Sequence, residues 1–294
     1  MKRLNLRYIL CPVDFSPLSA ASLATATAIA RARHAELRAL HVAPAEGPEA
    51  PRRLSSGQRE TLMSLLRESL AEIDPTYDRV GAAAQHGDPA TRIIRFARAM
   101  PADLIVMGAP GADRPERPMG PVAAVVVARS ECPVLTVPTN DTKSPRKETG
   151  LFSRIVCAVD QTPSSASVIH QALSLAWETE GHLTYVCVMP EDSSASSADT
   201  RRHLLTAIPP EASHWSRMEV QFIKGVASDV IVRIADERDA DLVVIGAPRR
   251  WTSTTHAVLS RSLCPVLVTH DARPLPRPSL GQAHDDARTG AFRR

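Results

Sequence analysis

Three glycines in the first half of the chain could belong to a loop that binds an anion. Gly108-Ala-Pro-Gly111 is followed by eight residues and then by Gly120-Pro121. Glycine lets backbone amides approach a phosphate closely, and the N-terminus of a following helix adds positive potential. Pro121 suits the first turn of such a helix, but it supplies neither a hydroxyl nor a backbone N–H. A loop of this kind could bind phosphate, but Pro121 would contribute no donor to it.

Other patterns that carry chemistry do not occur in the sequence. No two of the ten histidines are paired at i, i+4 with a carboxylate as a further ligand, and none has a cysteine partner, so a metal site is not indicated. Neither the Gly-x-Ser-x-Gly motif of hydrolases nor the Gly-x-x-x-x-Gly-Lys-Ser/Thr motif of P-loop proteins is present. We therefore assign no catalytic residues and no metal ligands.

The five cysteines favour a reducing, cytoplasmic location over a disulfide framework. Their number is odd, and no two of them form a Cys-x-x-Cys pair. Cys11 and Cys157 fall inside apolar runs, where a buried thiol behaves as a small apolar group. Cys132 and Cys264 precede equivalent apolar runs, which indicates a structural role for both.

The composition is that of a soluble globular chain long enough for two domains. The 294 residues are 44% apolar and 23% charged, so each half can bury its own core. Aromatic residues make up 4% and the formal net charge is +3, which argues against a nucleic-acid surface. No apolar run reaches the length of a membrane span, and Asp14 interrupts the N-terminal apolar stretch before a secretory signal forms. We expect a cytoplasmic protein with no nucleic-acid or membrane partner.

The sequence repeats itself once. Residues 8–17 return as residues 154–163 at an offset of 146, with Asp160 in the place of Asp14. Residues 102–110 return as 240–248 at an offset of 138, and Cys132-Pro-Val-Leu returns as Cys264-Pro-Val-Leu at an offset of 132. The second copy has therefore lost eight and then six residues, in surface connections where losses are tolerated. This pattern indicates a duplicated domain.

Short apolar runs alternate with longer amphipathic segments in each copy, which is typical of βαβ units on a parallel sheet. The strands predicted in the first copy cover residues 8–13, 37–42, 79–84, 104–107 and 134–137. Those predicted in the second cover residues 154–159, 183–188, 218–223, 242–245 and 266–269. Helices are predicted to begin after Ser16, Thr162 and Asp88, each of which precedes a proline, and Ser228 is the predicted cap of the helix equivalent to the one after Asp88.

We divide the chain into four segments. Residues 1–138 form the first domain, 139–150 a polar linker, 151–270 the second domain and 271–294 a tail. The linker is rich in Lys and Thr. The tail contains three prolines and several arginines without apolar periodicity, so it is predicted to be disordered.

Several ordered segments of the first copy resemble signature segments of the universal stress protein family. They are Val13-Asp14-Phe-Ser-Pro17, Leu40-His41-Val42, His86-Gly-Asp-Pro89, Ala102-Asp-Leu-Ile-Val-Met-Gly108 and Cys132-Pro-Val-Leu-Thr-Val137. The resemblance spans both copies, up to His270. It implies an α/β fold of two tandem five-stranded parallel-sheet domains, Rossmann-like and similar to adenine-nucleotide alpha-hydrolases. It also implies that the two domains pair as an intramolecular pseudo-dimer, through the strand that follows each Cys-Pro segment.

Nucleotide-binding members of that family carry Gly-x-x-Gly, nine further residues, and then Gly followed by Ser or Thr. The first copy is one residue short of this pattern and has Pro121 in place of the hydroxyl residue. The second copy has Arg249 in place of the second glycine, Thr252-Ser253 in place of Gly-Ser, and a loop six residues shorter than the first. The resemblance therefore implies ATP as a weakly bound ligand of the first domain and no cofactor in the second.

The candidate cofactor-binding residues are those that match the family's nucleotide-contacting positions. In the first domain they are Pro12, Val13, Asp14, Val42, Met107, Gly108, Gly111 and Gly120. In the second domain they are Asp160, Val188, Gly246 and Ser253. An aspartate that follows a strand is also often a turn or cap residue, and this interpretation of Asp14 and Asp160 stays open.

The resemblance implies a non-enzymatic stress-response protein that acts as a scaffold for an unidentified protein partner. Two alternatives stay open. One is a slow ATPase or adenylate-handling enzyme on the same fold, which requires a working phosphate loop. The other is a protein-interaction module that binds no nucleotide. Further homodimerisation of the whole chain also stays open.

Overall fold

The computed structural model describes most of the two repeats. The described residues are 6–44, 55–109, 119–138, 152–160, 165–189, 217–247 and 253–270, with the single positions 191, 202, 206 and 208. The predicted linker, the predicted tail, Gly111 and the helix start predicted at Thr162 lie outside the described residues.

Within this described part, ten strands form one sheet. The strands of the first half are β1 (Tyr8–Val13), β2 (Glu36–Ala43), β3 (Val80–His86), β4 (Leu104–Ala109) and β5 (Val134–Pro138). Those of the second half are β6 (Arg154–Val159), β7 (His182–Met189), β8 (Met218–Lys224), β9 (Leu242–Gly246) and β10 (Val266–Thr269). Their order is β3-β2-β1-β4-β5-β10-β9-β6-β7-β8, so the second half repeats the first in reverse. Every predicted strand is present, and the predicted bounds differ from the observed ones by at most two residues.

Helices cover both faces of the sheet. Those whose bounds fall within the described residues are α1 (Pro17–Arg33), α2 (Ser56–Ile73), α3 (Pro89–Ala99), α4 (Pro121–Arg129), α5 (Ser165–Glu178), α6 (Ala227–Glu237) and α7 (Ser253–Arg261). One continuous core lies between the sheet and α1, α2 and α5, and a second lies between the sheet and the other four helices. Because both faces are covered, the central strands are almost wholly apolar instead of alternating. The predicted α/β fold is confirmed.

Two of the predicted helix caps are present and one is wrong. The hydroxyl of Ser16 accepts a bond from the backbone of α1, and the carboxylate of Asp88 caps α3 in the same way. Ser228 does not cap α6, because that helix already begins at Ala227. The capping position belongs to Val226, whose side chain makes no capping bond, so Ser228 lies inside the first turn.

The two halves are joined by β5 and β10. These strands are antiparallel, with Leu135 opposite Leu267 and Thr136 opposite Val266. Leu135 and Leu267 are equivalent residues of the repeat, so an approximate twofold axis passes between them. Each strand covers the edge that the other would leave unpaired. The predicted intramolecular pseudo-dimer is confirmed.

An aspartate just before β4, and its equivalent before β9, ties that strand to the start of β1 or β6. Asp103 accepts bonds from two successive backbone N–H groups, those of Arg7 at 2.7 Å and Tyr8 at 2.9 Å. Asp241 does the same for Ser153 at 2.9 Å and Arg154 at 2.8 Å, and it also accepts a bond from the hydroxyl of Ser153 at 2.9 Å. The repeated Ala-Asp dipeptide thus has a structural reason.

All five cysteines are free, and most of them are buried. Burial raises the pKa of Cys11 to about 12 and that of Cys132 to about 11. It also raises the pKa of Cys157 and of Cys187. Since β5 and β10 are antiparallel, Cys132 and Cys264 precede strands that start at opposite edges of the sheet.

These thiols are expected to be unreactive in the folded protein. The thiolate is the reactive form, and a pKa above the ordinary value of about 8.5 leaves less thiolate at pH 8 than an exposed cysteine has. With Ellman's reagent at pH 8 we expect the native protein to react much more slowly than glutathione. All five thiols should react once the protein is unfolded in urea. A thiol that titrates immediately in the native protein would contradict this prediction.

Candidate functional site

The carboxyl ends of β1, β2 and β4 form the crevice in which a ligand is expected. The pairing of β1 with β2 continues as far as Val13 and His41, whereas the pairing of β1 with β4 ends at Leu10 and Ile105. The helix that follows β1 packs on one face of the sheet and the helix that follows β4 packs on the other. This is the topological switch point, where parallel α/β sheets bind their ligands.

Asp14 lies at this crevice, directly after β1. Its Oδ1 accepts bonds from the backbone N–H of Ser16 at 3.0 Å and from the hydroxyl of Ser16 at 2.6 Å, and its own N–H donates to the hydroxyl of Ser19 at 3.3 Å. Desolvation raises the pKa of Asp14, but these hydrogen bonds outweigh it and the pKa lies below its ordinary value. The carboxylate is therefore ionised at neutral pH and held in place. Asp14 therefore acts as a turn residue, which is the role that stayed open for it in the sequence.

Two residues that sequence reasoning gave no role form an aromatic pair beside Asp14. The ring centroids of Phe15 and His41 are 4.8 Å apart. Phe15 has a left-handed backbone with φ 63°, and 43% of its surface is exposed, which is unusual for a large apolar residue in that conformation. Nδ1 of His41 donates to the carbonyl of Val13 at 2.8 Å, which leaves Nε2 as the ring nitrogen that can accept a bond in the corresponding neutral tautomer. In the sequence, only the position of His41 in the Leu-His-Val segment indicated that this residue has a role at the site.

Gly108, at the end of β4, is needed for packing. A Cβ atom at this position would lie 2.4 Å from Cγ of Leu18 and 3.0 Å from the Leu18 carbonyl oxygen on α1. Gly246 at the end of β9 has the same role in a milder form, since a Cβ there would lie 3.1 Å from a methyl of Val168 on α5. Both glycines let the first helix of their half approach the sheet.

Gly120 is in a different situation. It is the N-cap residue of α4 with φ −57° and ψ 147°, a backbone conformation open to any residue, and it makes no side-chain capping bond. Among the residues that the structure describes, a Cβ atom at Gly120 would meet nothing within 4 Å. Space is therefore open at the N-terminus of α4, where backbone N–H groups lack helical partners. Pro121 removes one of these donors.

Three of the other first-domain candidates are buried. Val13, Val42 and Met107 have their side chains in the core, so contact with a ligand would come chiefly from their backbone. Pro12 lies within β1, beside Val13. The structure thus brings all the described first-domain candidates to one edge of the sheet.

The equivalent crevice of the second half is built differently. The hydroxyl of Ser165 donates to Oδ1 of Asp160 at 2.5 Å and accepts from the Asp160 N–H at 3.2 Å. Cys187 takes the place of His41 in the strand register and is buried, so no aromatic pair forms here. Val188 lies on β7, and Ser253 is the first residue of α7 and is exposed.

The two crevices are separate. Because β5 and β10 are antiparallel, the carboxyl ends of the first-half strands and those of the second-half strands lie at opposite edges of the sheet. No single ligand of nucleotide size can bridge Asp14 and Asp160.

Two concavities in the described regions lie away from both crevices, at the amino ends of strands. One of about 590 Å³ is bordered by β2, β3 and α2, and one of about 280 Å³ by β6, β7 and β8. Arginines and carboxylates line both, and many are paired with each other, as Arg38 is with Glu36 and Arg238 with Glu219. The described residues contain no group of three or more metal-ligating side chains. None of the described helices is both long enough and apolar enough to cross a membrane.

Comparison with known proteins identifies the family that has this fold. The family model described as "Universal stress protein family" matches residues 5–138 and again residues 151–270. A curated universal stress protein of Methanocaldococcus jannaschii is 34% identical over 152 residues, which cover 48% of this chain and 84% of that protein. The chain belongs to the universal stress protein family.

Solved structures of similar length share the fold. A universal stress protein from Archaeoglobus fulgidus aligns with a TM-score of 0.72 at 20% identity, covering 91% of this chain and 97% of that one. A protein of unknown function from Pseudomonas aeruginosa aligns with a TM-score of 0.62 at 22% identity, covering 92% of this chain and 94% of that one. At these identities the likeness concerns the fold alone.

Proposed function

We propose that this chain is a non-enzymatic universal stress protein whose first domain binds ATP weakly and whose second domain binds no nucleotide. In this proposal the domains span residues 1–138 and 151–270, joined by the linker 139–150 and followed by the tail 271–294. The difference between the two crevices carries the proposal. The first combines a fixed carboxylate, an aromatic pair with the Phe15 ring exposed and an open helix N-terminus, and the second does not offer this combination.

The first crevice has groups of the right chemistry for an adenine nucleotide. The carboxylate of Asp14 would accept hydrogen bonds from ribose hydroxyls or from the adenine amino group. The Phe15–His41 pair would offer a ring surface and an acceptor nitrogen close by. The N–H groups at the start of α4 would face the phosphates, with Gly120 leaving room for them.

The affinity for ATP is expected to be weak because the start of α4 offers too few hydrogen-bond donors. An anion site built from backbone amides loses one donor at Pro121 and has no hydroxyl there to replace it. Gly111, which lies outside the described residues, would add a close backbone approach. We expect a dissociation constant on the order of 10 µM or weaker, which corresponds to about −7 kcal/mol or less favourable.

The second crevice lacks the corresponding parts. Cys187 offers neither a ring nor an acceptor nitrogen, and Arg249 and Thr252 stand in the sequence where the first domain has Gly111 and Gly120. The second domain would serve as the fixed partner of the first, and a nucleotide-dependent change in the first crevice would be presented to a protein partner.

Calorimetric titration with ATP and with AMP tests this function. We expect weak ATP binding at one site per chain. Asp14→Ala should reduce the affinity by about 10-fold or more, because a charge-assisted hydrogen bond contributes roughly 1.5–3 kcal/mol. The matched variant Asp160→Ala should change the affinity less than about twofold. Loss of binding in Asp160→Ala with retention in Asp14→Ala would contradict the proposal.

The same samples separate the two alternatives. Phosphate release from ATP by the purified protein, abolished by Asp14→Ala, would favour the slow ATPase. Absence of any heat with either nucleotide, in a protein that unfolds cooperatively, would favour the interaction module that binds no nucleotide.

A further inference from the structure

A buried ion pair links the two halves of the chain. Arg33, at the end of α1, contacts Glu178 at the end of α5. The side chains are 13% and 9% exposed, and they lie beside the core that the two halves share on this face. Charged side chains are seldom buried this deeply unless they are paired.

This ion pair has no counterpart across the twofold axis. The repeat offset of 146 residues makes Thr179 the equivalent of Arg33 and Ala32 the equivalent of Glu178. The backbone supports the same alignment, since His34 and Glu180, which the offset also makes equivalent, are both left-handed with φ of 51° and 50°. The interface is therefore symmetric in its backbone and asymmetric in its charge.

The symmetric backbone by itself would allow three pairings. β5 and β10 are paired about the equivalent residues Leu135 and Leu267, so a first half could also pair with the first half of a second copy, or a second half with a second half. In the former case two arginines would be buried facing alanine. In the latter, two glutamates would be buried facing threonine. Burying such a charge without the opposite charge of this pair is strongly unfavourable.

A second asymmetric contact also favours pairing of unlike halves. Nε2 of His270, just after β10, donates to the carbonyl of Val127 in the last turn of α4 at 2.8 Å. Carbonyls in the last turn of a helix lack helical partners. The repeat equivalent of His270 is Pro138, which carries no donor on its ring. Pairing of two first halves would lose this contact as well as the ion pair.

We propose that Arg33 and Glu178 determine which halves pair. They make the surface formed by β5 and α1 a binding site for the unlike half, formed by β10 and α5, and they exclude like-with-like pairing between two copies. Buried ion pairs often contribute little to stability relative to apolar residues. Because the Arg33–Glu178 pair lies off the twofold axis, it can distinguish an unlike half from a like one. Selecting the partner is therefore the role that we assign to it.

Two charge-reversal variants of the full chain test the proposal. In Arg33→Glu two glutamates face each other, and in Glu178→Arg two arginines do. Each variant alone should be less stable than the wild type. In a 1:1 mixture refolded together, each half finds an oppositely charged partner on the other chain. We therefore expect a heterodimer with exchanged halves that neither variant forms alone.

The balance of effects favours this exchange. Breaking a buried pair weakens an interface by about 10²–10³-fold, and the heterodimer restores two such interfaces. Opposing this, the short linker gives the halves an effective concentration in the millimolar range, which is roughly 10²-fold above a protein concentration of tens of micromolar. Size-exclusion chromatography with light scattering measures the outcome.

The double variant Arg33→Glu with Glu178→Arg in one chain is the matched control. It restores the pair in reverse and should have the oligomeric state of the wild type, with a thermal midpoint closer to the wild type than that of either single variant. If the single variants do not fold alone, recovery of folded protein in the mixture and in the double variant still supports the proposal. A mixture without heterodimer, or a double variant no more stable than the single ones, would overturn it.

Discussion

Gly108→Ala is expected to lower the free energy of unfolding by about 2–3 kcal/mol, the cost typical of overpacking a tight core. The new Cβ would lie 2.4 Å from Cγ of Leu18 and 3.0 Å from its carbonyl oxygen. The side chain can rotate away, but the carbonyl belongs to the first turn of α1 and moves only with the helix. Urea denaturation followed by circular dichroism measures the change.

Two other glycines provide the controls for this prediction. Gly246→Ala should cost less, under about 1 kcal/mol, because its Cβ would press only on a methyl group of Val168, which can shift. Gly120→Ser should be neutral or stabilising by about 0.5 kcal/mol, since the site is open and serine is a preferred N-cap residue. Equal losses at Gly108 and Gly120 would show that helix packing is not what requires glycine at the end of β4.

The series also bears on how the phosphate loop should be interpreted. Gly108 opens the Gly-x-x-Gly motif, yet its contacts with Leu18 require glycine whether or not a nucleotide binds. Gly120 has neither a steric nor a conformational need for glycine in the described structure. Of these two, Gly120 is therefore the one whose identity a ligand would explain.

The strands were predictable because the sheet is covered on both faces. Such strands are short apolar runs between polar segments, and the repeat supplied each of them twice. The helix α2 was not predicted. Its buried residues Met63, Leu66 and Leu70 have helical spacing, but they form a narrow stripe in a polar segment. The Ser228 cap failed because the helix starts one residue before it, and cap positions depend on local backbone geometry.

The candidate site was predictable only in part. Family motifs indicated Asp14 and the glycines, but not the left-handed backbone of Phe15 or the bond from His41 to the Val13 carbonyl. The bond from His41 depends on how β1 and β2 are placed side by side, which a single sequence does not specify. The motifs also could not separate a glycine needed for packing from one that leaves room for a ligand.

Asp241→Ala is expected to be the more destabilising of two equivalent substitutions, at about 3–4 kcal/mol. The carboxylate accepts bonds from the backbone N–H groups of Ser153 and Arg154 and from the Ser153 hydroxyl, and only 8% of Asp241 is exposed. Removing it leaves several donors in the interior, each costing roughly 1–3 kcal/mol when water cannot reach it. Asp241→Asn keeps an acceptor but loses the charge, so its loss should be smaller.

Asp103→Ala is the matched control for this substitution. Asp103 binds two backbone N–H groups without a hydroxyl, at a position that is less deeply buried. Water can replace its carboxylate more readily, so the expected loss is about 1–2 kcal/mol. Denaturant unfolding of the three variants and the wild type measures these losses of unfolding free energy. A larger loss at Asp103 than at Asp241 would mean that burial does not control how strongly these carboxylates hold the strands together.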